Sequence, residues 1–286
     1  MINQPLNHKT SQAIKGYLSH PGQPIGLIGN KWLDKFAIAV QTAEEVLDIE
    51  KGKLVNYPYY LGIGNDDISS ITIDQIRELS GFLSLKVPSK KTIRRIVIIN
   101  QADNMTLEAQ NALLKNLEEP PTDTVFILTA ESISALLETI ISRLHLIKVI
   151  KPDKDEIISY YKNKGYSSED IKQAYLISDG LSGLMDLLLV NKDNPINQAT
   201  NQAKLILAST TLDRLKLIND LVKNKSEIKN IMFVIKQMAK IGVSLEDNKT
   251  AVRWQRILSA TLDCEQKLAA NVQTKLLLTN YMLSLG

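Results

Sequence analysis

The chain has 286 residues, 44% of them apolar and 23% charged, with acids and bases interspersed to a formal net charge of +3. That is enough sequence for two or three domains and argues against extended disorder; the charge permits DNA contact but is too small to mark a protein that tracks phosphates with one basic face. A single cysteine, Cys264, excludes an intrachain disulfide and any multi-cysteine zinc site, and no apolar run approaches a bilayer span, so the expectation is a cytoplasmic chain with a small buried thiol.

Residues 8–19 pattern as a short helix, stopped by His20-Pro21-Gly22-Gln23-Pro24. Ile25–Ile28 is a compact apolar strand, followed by Gly29-Asn30-Lys31-Trp32-Leu33-Asp34-Lys35-Phe36 and a helix with Phe36, Val40, Ala43 and Leu47 on one face. Strand, loop, helix is the setting of a phosphate loop, G-x-x-x-x-G-K-[ST], in which backbone amides cradle phosphates, Lys reaches the β and γ oxygens and a hydroxyl binds Mg²⁺. Gly29 and Lys35 fit the first and seventh positions, whereas Asp34 replaces the second glycine and Phe36 the hydroxyl. A carboxylate and a Cβ at 34, and a ring at 36, remove the bare backbone and the metal ligand. A turn that never was a phosphate loop predicts the same lack of hydrolysis.

Residues 48–58 read as a loop and Tyr59–Ile63 as a strand. A helix opens near Ile71, with Ile73, Ile76, Leu79 and Leu83 as its apolar stripe and Asp74 at its positive end; Val87-Pro88-Ser89-Lys90-Lys91 is a polar loop. The next strand, Ile96–Ile99, ends in Asn100-Gln101-Ala102-Asp103. A nucleotide-hydrolysing α/β domain carries an acidic pair at that point to hold Mg²⁺ and polarise water, and neutral amides do neither. Thr106 caps a helix over residues 107–118, with Ala112, Leu113 and Leu117 toward the sheet and Glu118-Glu119-Pro120-Pro121 closing it. Adjacent acids on a helix point in different directions, so these are solvated or ion-paired helix-end charges rather than an acid/base pair.

The strand Val125–Thr129 follows, with the Thr129 hydroxyl expected to cap the helix after it, and then Ile141-Ser142-Arg143-Leu144. An arginine opening a strand is, taken alone, a solvated charge or a surface ion pair. The alternation of apolar runs and helical patterns from Ile93 to Val149 predicts a buried parallel sheet with crossover helices. After Lys151-Pro152 only helical patterns remain, over 154–164, 168–178 and 181–190. Asn191–Pro195 reads as a linker, and four or five further helices follow, with a break at Gly242–Asn248 and apolar faces including Leu205, Leu212, Leu215, Ile218, Ile231, Val234, Met238, Ile257, Leu258 and Leu262.

The block ALLKNLEEPPTDTVFILTA…TIISRL resembles the AAA+ subunits of bacterial DNA polymerase III clamp loaders, whose pattern is NALLKxLEEPP, an apolar strand and Ser-Arg-Cys; ITIDQIRELSGFLS and the closing NVQTKLLLTNYMLSL resemble the same family. Leu144 stands where that family has the cysteine. The resemblance covers nearly the whole chain and implies α/β plus all-α architecture: an AAA+ parallel-sheet domain over 1–151, a helical lid over 152–192 and a helical collar domain over 193–286. It implies that Arg143, with Ser142, reaches an ATP held by a neighbouring subunit, that Thr129 stands at a former γ-phosphate sensor, and that Gly183, in Gly180–Asp186, replaces an ATP-touching arginine. The four-cysteine zinc module of many relatives, expected within 48–58, lacks its cysteines.

A degenerate phosphate loop, a neutralised metal strand and a retained Ser142-Arg143 together resemble the family's non-hydrolysing stator. The expectations are no bound ATP, Mg²⁺ or zinc, a γ/τ-type ATPase subunit and a δ subunit as partners, and a sliding clamp and primer-template DNA reached through the complex. The alternatives are an ATP-binding γ-type subunit, a δ-type clamp-opening subunit, which would not be expected to present Ser-Arg, and an AAA+ adaptor outside replication.

Overall fold

Each predicted apolar run becomes a strand because its side chains have somewhere dry to go on both faces. The computed structural model describes residues 5–64, 70–88, 92–190, 194–245, 248–270 and 273–285. Helix α1 (His8–Leu18) precedes β1 (Ile25–Ile28), α2 (Lys35–Leu47), β2 (Tyr60–Ile63), α3 (Ile73–Leu83), β3 (Arg95–Ile99), α4 (Leu107–Glu118), β4 (Thr124–Ala130), the short α5 (Glu138–Ile141) and β5 (His145–Lys148). The strands form one parallel sheet in the order β2-β3-β4-β1-β5. Every residue of β3 and β4 is buried, as a parallel strand covered on both faces requires, whereas the edge strand β5 buries only Ile147.

The helices supply the cover. On one side Ile76 and Leu79 of α3 and Ala109, Leu113 and Leu117 of α4 join Val97, Ile99, Phe126 and Leu128 in a continuous core. Ala112, expected toward the sheet, is only partly buried. In α2 the buried stripe is Lys35, Ile38, Ala39, Thr42, Ala43 and Leu47. Of the predicted face Ala43 and Leu47 are buried and Val40 partly so, whereas Phe36 is 39% exposed and its place toward the interior belongs to Lys35. The buried Glu44 of α2 accepts from Leu54 N at 3.2 Å and so seats a short 3-10 turn, Leu54–Asn56, in the loop that follows.

Contacts between residues divide the chain into two compact units, Met1–Tyr160 and Tyr161–Gly286. Helix α6 (Lys154–Asn163) runs across that boundary, and the second unit continues with α7 (Ser168–Ser178), α8 (Ser182–Val190), α9 (Pro195–Ala208), α10 (Thr211–Leu221), α11 (Lys225–Leu245), α12 (Asn248–Ala269) and α13 (Thr274–Ser284). Asn194 caps α9 through Ile196 N and Asn197 N, with Pro195 in the first turn. The expected linker residues 191–193, and with them the 192/193 boundary, lie outside the described residues, as do 89–91 of the predicted polar loop.

The break expected over Gly242–Asn248 falls where α11 ends at Leu245 and α12 opens at Asn248, with 246–247 outside the described residues. Gly242 itself lies within α11 and serves packing: a Cβ at 242 would stand 2.3 Å from the Trp254 ring on α12. Lys236 of α11 and Glu265 of α12 pair at 2.6 Å, Thr261 and Tyr281 share a hydroxyl hydrogen bond at 2.9 Å, and Cys264 is buried beside them. Among the predicted apolar faces Ile218, Ile231, Val234 and Ile257 are buried, while Leu205, Leu212 and Leu262 stand exposed. Among the described residues no helix is long and apolar enough to cross a membrane.

Candidate functional site

Because every strand runs the same way, their C-terminal ends share one edge of the sheet. Strand β1 lies between β4 and β5, so the chain's path reverses at β1, and a crevice opens above such a reversal in open α/β sheets. The loop after β1, the end of β3 and the end of β4 meet at this crevice. They carry the predicted positions Gly29, Asp34, Lys35, Asn100, Gln101, Asp103 and Thr129.

The loop after β1 is filled by the chain itself. Gly29 N–H donates to Ala130 O at 3.1 Å, and a Cβ at 29 would lie 2.6 Å from Val149 O, so glycine is required here for close backbone packing. Asp34 is the N-cap of α2, its Oδ1 accepting from Ala37 N at 2.9 Å. The positive helix end, which in a phosphate loop faces the nucleotide, thus already holds a carboxylate of its own chain. Lys35 is 6% exposed and donates from Nζ to Asn30 O at 2.8 Å. Burial pushes its ammonium below the usual lysine range, while Glu131, Asp103 and Asp34 pull the other way. Phe36 turns outward and brings no ligand to the crevice.

The ends of β3 and β4 are stapled together. Thr129 Oγ1 donates to Asn100 Oδ1 at 2.7 Å and accepts from Gln101 N at 2.9 Å. The expectation that Thr129 caps the following helix is therefore corrected. Ser132 caps the 3-10 turn that follows, Ile133–Ala135, and Thr129 fixes the strand end where Gln101 adopts a left-handed φ of 53°. Asp103 Oδ2 accepts from Glu131 N at 2.9 Å, and Asn104 Nδ2 donates to Gln101 Oε1 at 2.9 Å. Side chains that would meet metal and water in a hydrolytic site are spent on joining two strands.

Arg143 sits at the other edge of the sheet. It is two residues before β5, whose first residue, His145, is in register with Ile25, the first residue of β1. Gly29 lies four residues beyond Ile25, so at about 3.3 Å per strand residue roughly 13 Å separate the level of His145 from that of Gly29, beyond an arginine's reach. The guanidinium donates from Nη1 to Thr139 O at 2.7 Å and to Ser142 Oγ at 3.3 Å, and from Nη2 to Glu118 Oε1 at 2.7 Å. Its side chain is 32% exposed. Gly183, in the first turn of α8, is half-buried and belongs to the second compact unit.

One further residue escaped the sequence reading. Gln110, on the buried face of α4, donates from Nε2 to Met105 O at 3.3 Å and Ala135 O at 3.0 Å and accepts from Leu137 N at 2.8 Å. It thereby ties α4 to the segment leading into α5 and Arg143. The visible signal was a glutamine in the Ala109-Leu113-Leu117 stripe. Glu118, expected as a solvated or ion-paired helix-end acid, is ion-paired: it sits at the C-terminal end of α4, where a carboxylate without a cation is unfavourable, with Arg143 Nη2 at 2.7 Å.

This sheet order, a crevice at the end of β1 and an all-helical second unit define an AAA+-type fold. A family model described as DNA polymerase III, delta subunit matches residues 33–153. The DNA polymerase III subunit delta' of Haemophilus influenzae is 30% identical over 109 residues, which are 38% of this chain and 33% of that protein. The DNA polymerase III subunit gamma of Buchnera aphidicola is 27% identical over 216 residues, 74% of this chain and 56% of that protein, so the chain spans less than two thirds of either relative. A DNA polymerase III gamma subunit-related protein from Thermotoga maritima has the same fold, with a TM-score of 0.58 at 18% identity over 97% of this chain and 98% of its own. Over residues 33–153 the chain is similar to this DNA polymerase III subunit family, and several of the proteins it resembles are named as δ′ subunits.

Proposed function

We propose that this chain is a δ′-type stator of a DNA polymerase III clamp loader: it hydrolyses no ATP and lends Arg143, steadied by Ser142, to the nucleotide of a neighbouring γ/τ-type ATPase subunit. A δ subunit is the other neighbour, and sliding clamp and primer-template DNA are met through the complex. The observation that carries this reading is the separation of the two sites. Arg143 stands on the opposite edge of the sheet from the crevice of its own chain, so any nucleotide it serves belongs to another subunit.

The crevice supports the other half. Mg·ATP would need phosphate-cradling amides, a metal hydroxyl and strand-end carboxylates. Here Asp34 caps the helix, Phe36 points away, and Asn100 and Gln101 are engaged with Thr129. These residues do not fit Mg·ATP, nor do 48–58 offer thiolates for zinc. In trans, the planar fork of Arg143 would stabilise charge spreading over the transferred phosphoryl group, a task a lysine performs less well.

The match to a γ subunit over 74% of the chain, with Gly29 and Lys35 retained, favours one rival, an ATP-binding γ-type subunit. Calorimetric titration of the isolated chain with Mg·ATP separates the two. The stator reading expects no binding heat up to millimolar nucleotide, and submicromolar binding would install the rival in its place.

A further inference from the structure

The partners of the Arg143 guanidinium are of two kinds. Thr139 O and Ser142 Oγ are neutral acceptors, at 2.7 Å and 3.3 Å, that orient the fork and leave its charge in place. Glu118 Oε1, at 2.7 Å from Nη2, cancels that charge. A guanidinium already paired with a carboxylate offers less to a triphosphate, and that carboxylate left in place would repel the phosphates.

Glu118 has no evident task in its own helix. It is the last residue of α4, at the negative end of the helix dipole, and the α4 C-cap is closed without it, by Glu119 N–H donating to Lys115 O. Its side chain is 49% exposed and that of Arg143 32%, so the pair can open without unfolding anything. We propose that Glu118 is a positioning residue that holds Arg143 in a charge-neutral resting state, and that a neighbour's triphosphate must displace it before the arginine can act. This rests on the reading of Arg143 as an arginine that works in trans. The exchange favours nucleotide because the polyphosphate brings several negative charges against one carboxylate. With the neighbouring site empty, Arg143 returns to Glu118, and the subunit presents no net charge there.

The test is steady-state ATP hydrolysis by the reconstituted complex carrying the native chain, Glu118→Gln, Arg143→Ala or both, read as KM and kcat separately. Exposed ion pairs are weak, so Glu118→Gln is expected to lower KM about two- to fivefold with kcat unchanged. Glu118→Ala should act in the same direction, and Arg143→Ala should abolish the effect. The native melting temperature should persist in Glu118→Gln, which removes an unfavourable charge from a helix end. Arg143→Ala slowing hydrolysis while Glu118→Gln leaves KM unchanged or raises it would overturn this proposal alone. Hydrolysis unaffected by Arg143→Ala would remove the trans reading and this proposal with it.

Discussion

Thr129 is the residue through which the crevice is closed on itself. Its hydroxyl serves two groups at once, accepting from Gln101 N and donating to Asn100 Oδ1, with Gln101 in the left-handed region. Thr129→Val keeps the shape and strands both partners in a fully buried place, so unfolding in urea should show a loss of about 1–3 kcal/mol. An unchanged midpoint would mean that the staple carries no strain. Cys264 allows a second check at this scale: burial pushes its thiol up to about 11. At pH 8 its thiolate is then scarce, and labelling by a thiol reagent should run on the order of a hundredfold slower in the native chain than in urea. Its small apolar role was legible in the sequence. The duty of Thr129 and the partner of Glu118 were not, because each depends on a residue 25 or more positions away being brought alongside by strand pairing or helix return.

Among the elements, the strands were the easiest to foresee. A parallel strand buried on both faces leaves a run of consecutive apolar residues, and Ile96–Ile99 and Val125–Thr129 were each recovered to within a residue of their ends. Helix faces were harder to place. In α2 Lys35 lies toward the interior, its amine satisfied by Asn30 O, and this rotates the buried stripe so that Phe36 faces out. Glycines were the least legible, since a glycine that admits a neighbour reads like one that ends a helix. Gly242→Ala places a methyl within 2.3 Å of the Trp254 ring, and the α11–α12 pair should lose about 1–3 kcal/mol, read as a lower urea midpoint with Trp254 fluorescence altered. Gly29→Ala meets the backbone at Val149 O, which cannot turn aside as a side chain does, and should cost at least as much.

For the whole molecule the decisive property is sheet polarity. All strands being parallel, the loops after β1, β3 and β4 gather at one edge and the segment before β5 emerges at the other. On the proposed reading, such a chain can lose its own phosphate site and still keep an arginine that a neighbour would meet. The alternation of strands and helices made that polarity readable from the sequence, whereas the strand order, with β1 inserted between β4 and β5, became visible only in the pairing. The central claim is that this chain works on another subunit's nucleotide. Single-turnover ATP hydrolysis by the reconstituted complex, with the native chain or Arg143→Ala, tests it most directly. The account predicts that the variant assembles normally and that the share of ATP held at the adjoining subunit is hydrolysed at least about tenfold more slowly. Identical time courses for the two complexes, each fully assembled, would contradict it.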